Sequence, residues 1–266
     1  NVTITNSQVS GFDLGSMLDG TFKTTQEFAP DRDRVTGRIK LGTESNGGFK
    51  NITITNINFV HCRGLAIETV DGGYIEDISI SNITMRDITT APIFLRLGKR
   101  QRAPEGTPVA KVKRINISNV VVSGAHHEYA SIIAGLAESP VEDVLLSNIR
   151  IHYKGGGTKA DAERTIPENE KNYPEPSMFG VTPAYGFYVR HATGVTFDKV
   201  EVSFETDDAR PAFVFDNVKN AELYRTSAQL FGDAKMFSLR DVTNFTVQQS
   251  RNVADQKLAR VEKREF

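Results

Sequence analysis

Cysteine is almost absent from this chain of 266 residues: Cys62 stands alone, so no disulfide framework can form within it. Its apolar, strand-like setting is that of a thiol packed in a core. One cysteine does not fix the compartment, because exported bacterial enzymes often lack disulfides. An excess of one charge sign is missing too. Lys and Arg number 32 against 33 Asp and Glu, a net charge of -1, so no overall basic balance points to nucleic acid. No apolar run approaches the ~18 residues of a membrane-spanning helix, and no stretch reads as a signal peptide. The chain lacks an initiator Met and opens on Asn1-Val2-Thr3-Ile4-Thr5-Asn6, in mid-repeat, so we expect the natural protein to extend upstream. His61, His126, His127, His152 and His191 form no H-x-H or H-x-x-x-H pair with acids. No metal and no other cofactor is therefore expected.

What is present is a repeated phrase. It reads NVTITN at 1–6, NITITN at 51–56, DISISN at 77–82, RINISN at 114–119 and DVLLSN at 143–148. Weaker copies are GVTFDK at 194–199, NAELYR at 220–225 and NFTVQQ at 244–249. The starts differ by 50, 26, 37, 29, 51, 26 and 24 residues, a basic period near 25 with some steps lengthened or doubled. Such a period signals a solenoid. Apolar and polar residues alternate with β-branched types, which is strand chemistry. In NITITN, Ile52 and Ile54 point one way and Thr53 and Thr55 the other. Two further strands accompany each phrase, as in GRIKLG (37–42), FKNITITN (49–56) and INFV (57–60).

Three strands per rung, stacked in parallel, predict an all-β, right-handed parallel β-helix of about eight rungs, forming a single domain over 1–266. The phrase-final Asn6, Asn56, Asn82, Asn119 and Asn148 suit turns, because Asn tolerates the left-handed region, and stacked Asn side chains can bond as a ladder. N-x-S/T sequons at Asn1, Asn51, Asn82, Asn116 and Asn244 read as by-products of this pattern. Residues 99–110 and 155–184 break the period and read as loops projecting from the solenoid, while 251–266 is either a cap or a frayed end.

The strand preceding each phrase is the informative one. Its copies include GRIKLG (37–42), GLAIETV (64–70), APIFLRLG (91–98), YASIIAGL (129–136) and YGFYVRH (185–191). Alternation places Ile39, Leu41, Leu65, Ile67, Ile93, Leu95, Phe187 and Val189 inside. It turns Arg38, Lys40, Ala66, Glu68, Phe94, Arg96, Tyr188 and Arg190 outward. One reading is an exposed basic ribbon with interleaved aromatics that binds an anionic sugar chain. The other is an ordinary solvated strand face.

At GRIKLGTESNGGFKNITITN (37–56), the Arg38-Ile39-Lys40 tripeptide, a Gly-containing turn and an N-x-T-x-x-N strand resemble glycoside hydrolase family 28, the polygalacturonase and rhamnogalacturonan hydrolase family. The resemblance implies that Arg38 and Lys40 bind a substrate carboxylate beside the scissile bond. It also implies inverting hydrolysis, in which one carboxylic acid protonates the leaving oxygen and carboxylates activate water. The family's Asn-Thr-Asp and Gly-His-Gly motifs are absent, and the sole Asp-Asp, Asp207-Asp208, lies far downstream. Either the acids precede Asn1 or the site is rewired. Asp19 and Glu68, one rung before and after the tripeptide, are the candidate acids; their other reading is ion pairing, Asp19 to Arg38 and Glu68 to Lys40. Arg38, Lys40, Glu44, Arg96, Tyr188 and Arg190 are the candidate substrate-binding residues.

The expected function is a secreted or periplasmic, pectin-degrading hydrolase whose partner is an acidic polysaccharide, with no nucleic acid or membrane partner. Self-association through the first rung is a further expectation. The alternative is a β-helix that binds acidic polysaccharide without cleaving it. A Ca²⁺-dependent lyase fits less well, because no acidic cluster on this face suits that cation.

Overall fold

The computed structural model describes residues 1–11, 35 and 37–266. Those residues form a right-handed parallel β-helix. Its strands are β1 (Val2–Ser10), β2 (Ile39–Leu41), β3 (Phe49–Val60), β4 (Leu65–Thr69), β5 (Ile75–Arg86), β6 (Ile93–Leu97) and β7 (Val112–Ala125). They continue as β8 (Ser131–Ala134), β9 (Val141–Gly155), β10 (Phe187–Thr206), β11 (Phe213–Tyr224), β12 (Ser227–Ala228), β13 (Phe237–Gln248) and β14 (Gln256–Glu265). Among the described residues the one α-helix, α1 (Lys159–Ala162), is a single turn outside the sheet.

All eight phrases stack in sequence order, one per rung, through β1, β3, β5, β7, β9, β10, β11 and β13. The steps of 50 and 51 residues are therefore single expanded turns, not doubled ones. Ile52 pairs with Ile78, Ile78 with Ile115 and Ile115 with Val144, so the alternation delivers the same face of each phrase from β3 onward to the core. That core is aliphatic in the middle rungs. It becomes aromatic toward the end, where Phe187 stacks on Phe213 at 5.9 Å and Phe197 meets both edge-on. Cys62 lies in the core, and burial pushes its thiol up to about 11, unreactive at neutral pH.

The corners explain the asparagines. Each long strand bends where one residue enters the left-handed region, as at Asn51 (φ 55°) and Asn56 (φ 57°) in β3. Among residues that carry a side chain, Asn and Asp meet that requirement at least cost, because the short polar side chain bonds locally. At the second corner, the Asn56 amide donates to Asn6, Asn82 to Asn56, Asn119 to Asn82 and Asn148 to Asn119, at 2.8–3.1 Å. The expected ladder is thus formed. It stops where Lys199 takes the same corner, and a second, two-residue ladder joins Asn244 to Asn220 at the first corner. Two sequon asparagines, Asn82 and Asn244, have their amides committed to these ladders.

The segment 251–266 contributes β14, which runs antiparallel to β13 and lays Phe266 over Phe237 and Phe245. It acts as a cap on the aromatic end of the core.

Candidate functional site

The strands preceding the phrases stack as β2, β4, β6, β8, β10, β11 and β13. Ile39, Leu41, Leu65, Ile67, Ile93, Leu95, Phe187 and Val189 all lie in the core, as alternation requires. Register then sorts the opposite face into two columns. One runs Lys40, Ala66, Phe94, Ile132, Tyr188, Val214; the other runs Glu68, Arg96, Ala134, Arg190, Asp216, Arg240. The first is apolar from Ala66 to Val214 and then meets Ser238, and the second mixes both signs around Ala134 rather than forming a cationic ribbon.

Nor is this face exposed. Ala66, Phe94, Ile132, Tyr188 and Val214 form a second apolar cluster with Ile166 and Phe179, which arrive from the segment 155–184. Phe179 meets Phe94 and Tyr188 edge-on, each at 6.5 Å. The expectation of an open ribbon is corrected here: Glu68, Arg96 and Tyr188 are at most 1% exposed, because the insert lies across them. A strand with apolar residues on both faces needs covering on both. Ser131-Ile132-Ile133-Ala134 and Phe213-Val214-Phe215 are such strands, and their unbroken apolarity was the available signal.

The insert also brings acidic groups to the basic ones. Arg38 donates to Glu175 at 2.7 Å, and Arg63 reaches the other oxygen of Glu175 at 3.3 Å. Lys40 donates to the Tyr173 hydroxyl at 2.9 Å and stands 4.6 Å from the centre of its ring. Glu168 pairs with Arg190 and accepts from His191 Nε2 at 3.0 Å, while Asn217 donates to His191 Nδ1 at 2.8 Å. Among the described residues Arg96 has no carboxylate within ion-pair distance; it donates to the carbonyls of Gly135 and Glu168 and lies against the Phe179 ring. Burial lowers the pKa of its guanidinium to about 10.

Glu68 is the unusual carboxyl. It is wholly buried and raised to about 7 by desolvation, against the opposing pull of Lys40 and Arg38. Lys40 Nζ stands 2.5 Å from Glu68 Oε1 in an ion pair, while Oε2 has no hydrogen-bond partner among the described residues. The alternative pairing of Glu68 with Lys40 is present. Glu44 lies apart, an exposed turn residue paired with Arg100 and Arg102. Arg100 in turn is clamped to buried Asp71. Asp19 falls outside the described residues. Asp208, of the sole Asp-Asp, is buried in an ion pair with Arg210 and has no part in this face.

The protein leaves several buried polar atoms on this face without a hydrogen-bond partner. Among the described residues they are Arg38 Nε and Nη1, Glu68 Oε2, Arg96 Nε and Arg190 Nε, although Arg190 Nε has a 3.5 Å ion-pair contact with Asp216. Native proteins rarely tolerate such groups, each of which costs about 1–3 kcal/mol. Arg63, Glu168, Tyr173, Glu175 and Phe179 were not foreseen from the sequence.

The Arg38-Ile39-Lys40 strand and the β-helix register around it coincide with a match to a known family. The family description "Glycosyl hydrolases family 28" matches residues 37–171, about half of the chain. The chain belongs to this family. Its match begins one residue before Arg38 and runs through the rungs that carry Lys40, Glu68 and Arg96 into the insert that covers them. No curated protein and no solved structure matches the chain. Family 28 membership supports glycoside hydrolase chemistry on a polysaccharide, in the pectin-degrading class.

Proposed function

We propose that this family 28 chain acts on galacturonate-containing polysaccharide, with Arg38 and Lys40 gripping a substrate carboxylate beside the bond that breaks. The observation that carries the reading is the placement of two cations on one strand face at the start of the family match. Their i, i+2 spacing suits a single carboxylate, and Arg190 and Arg96 stand further along the same face. Glu44 and Tyr188 are weaker candidates for substrate contact, Glu44 because it sits off the face and Tyr188 because it is buried. Pectin lies outside cells, so the protein acts as a secreted or periplasmic enzyme.

For hydrolysis with inversion, a protonated carboxyl must deliver a proton to the leaving oxygen while a second carboxylate activates water on the opposite face of the sugar. Glu68 suits the first part: a carboxyl raised to about 7 is still protonated in mildly acidic medium. Asp19 is the candidate for the second.

Arg38→Ala and Lys40→Ala are expected to lower kcat/KM on polygalacturonate at least ~100-fold, read as reducing-end release, since each removes a charge-assisted bond near the reacting centre. Unchanged values in both variants would sink the assignment. The second reading, a module that binds acidic polysaccharide without cleaving it, is favoured by the complete burial of Glu68. Calorimetric binding of oligogalacturonide with no product released would select it.

A further inference from the structure

The insert meets the basic face with groups that resemble the ligand proposed for it. Its tip, residues 167–175, presents Glu175 to Arg38 and Arg63, the Tyr173 hydroxyl and ring to Lys40, and Glu168 to Arg190 and His191. A uronate chain would offer the same things: carboxylates at intervals, hydroxyls between them, and flat ring faces. The base of the insert is different in kind. Ile166, Met178 and Phe179 are sunk into the apolar column of Phe94, Ile132 and Tyr188. The tip is polar, with Glu168, Lys171, Asn172 and Tyr173 exposed.

The fit of the tip is incomplete. Four guanidinium nitrogens, on Arg38, Arg96 and Arg190, are buried on this face without a hydrogen-bond partner among the described residues, Arg190 Nε having only a 3.5 Å ion-pair contact with Asp216, and Arg96 meets only carbonyls. A pairing evolved purely for stability would satisfy these donors. A polymer with more carboxylates per unit length would satisfy more of them.

We propose that the tip 167–175 is an intramolecular stand-in for the anionic polysaccharide, closing the basic face in the free protein and yielding it when a uronate chain binds. This rests on the proposed polysaccharide reading and adds to it a competition between tip and ligand. Opening breaks the Glu168, Tyr173 and Glu175 side-chain contacts. It also breaks the bonds from Lys99 N–H to the Glu170 carbonyl and from Arg96 to the Glu168 carbonyl. The ligand's carboxylates then take over Arg38, Lys40 and Arg190. The apolar base stays in place as the hinge. Tightness of binding is thereby set by the open fraction, since the observed Kd is the intrinsic Kd divided by that fraction.

The test pairs two measurements on the whole chain. Hexagalacturonate is titrated calorimetrically into the wild type, Glu168→Gln/Glu175→Gln and Tyr173→Phe, with a neutral galactan oligosaccharide as control. Trypsin cleavage after exposed Lys171 is followed by mass spectrometry with and without hexagalacturonate. Expected are Kd values about 3- to 10-fold lower in the variants, no binding of the neutral sugar, and faster cleavage at Lys171 when ligand is present. Equal or weaker binding by the variants, or protection of Lys171 by ligand, overturns the stand-in while leaving the polysaccharide reading intact. Failure of wild type and variants alike to bind hexagalacturonate overturns both.

Discussion

Glu68 carries a pH signature that belongs to one residue. Its folded-state value, about 7, lies above the ordinary carboxyl value of 4.5 that it regains on unfolding. Between these values the folded protein holds a proton that the unfolded chain has lost, so this group lowers stability as pH rises from about 4.5 to 7. Below that window it contributes nothing; above it, the cost is complete, on the order of 3 kcal/mol. Glu68→Gln should therefore raise the melting temperature relative to wild type at pH 8 and leave it nearly unchanged at pH 4. An equal shift at both would show that burial does not perturb this carboxyl. The residue was legible in part. Alternation turns its side chain away from the core, and its alternative reading pairs it with Lys40, but no residue pattern measures how completely the fold desolvates it. Arg38 shows the same boundary, since its outward direction was readable and its partner Glu175, 137 residues away, was not.

At the scale of the element, the asparagine corner is the unit that repeats. Asn82 occupies the left-handed region at φ 56°, donates to Asn56 and accepts from Asn119. Asn82→Ala loses both bonds and places a Cβ-bearing residue without local hydrogen bonding in that region, at about 1–2 kcal/mol. Asn82→Gly keeps the backbone conformation and should cost less. Urea denaturation separates the two, and equal losses would argue that the ladder, rather than the corner, dominates. These corners were legible because one conformational demand recurs at one place in the phrase and selects one residue type. The same holds for the strands, whose period of two is written directly in the residues. The insert escapes such reasoning. Residues 155–184 repeat nothing, and what seats them is complementarity to a surface that exists only once the rungs from β2 to β11 are stacked. The clue was the unbroken apolar run of Ile132-Ile133, where a solvated face would demand a polar residue.

The whole molecule is a stack in which each rung touches chiefly its neighbours, so damage at an end propagates inward. β14 guards one end, closing the edge of β13 and covering Phe237 and Phe245 with Phe266. Removing residues 256–266 should leave the β13 edge unpaired and expose an aromatic core section, giving aggregation detectable by light scattering before any loss of β signal in circular dichroism. A monodisperse deletion variant would show that the cap is dispensable. The direction of β14 carries a further consequence. A parallel stack is a template that accepts another copy of itself without limit, and every strand through β13 offers the next one the same polarity and register. β14 reverses the polarity and carries Lys257, Arg260, Lys263 and Arg264 along its length. In the polymer chemist's sense, reversed polarity and like charge act together against the addition of a further parallel strand at this edge.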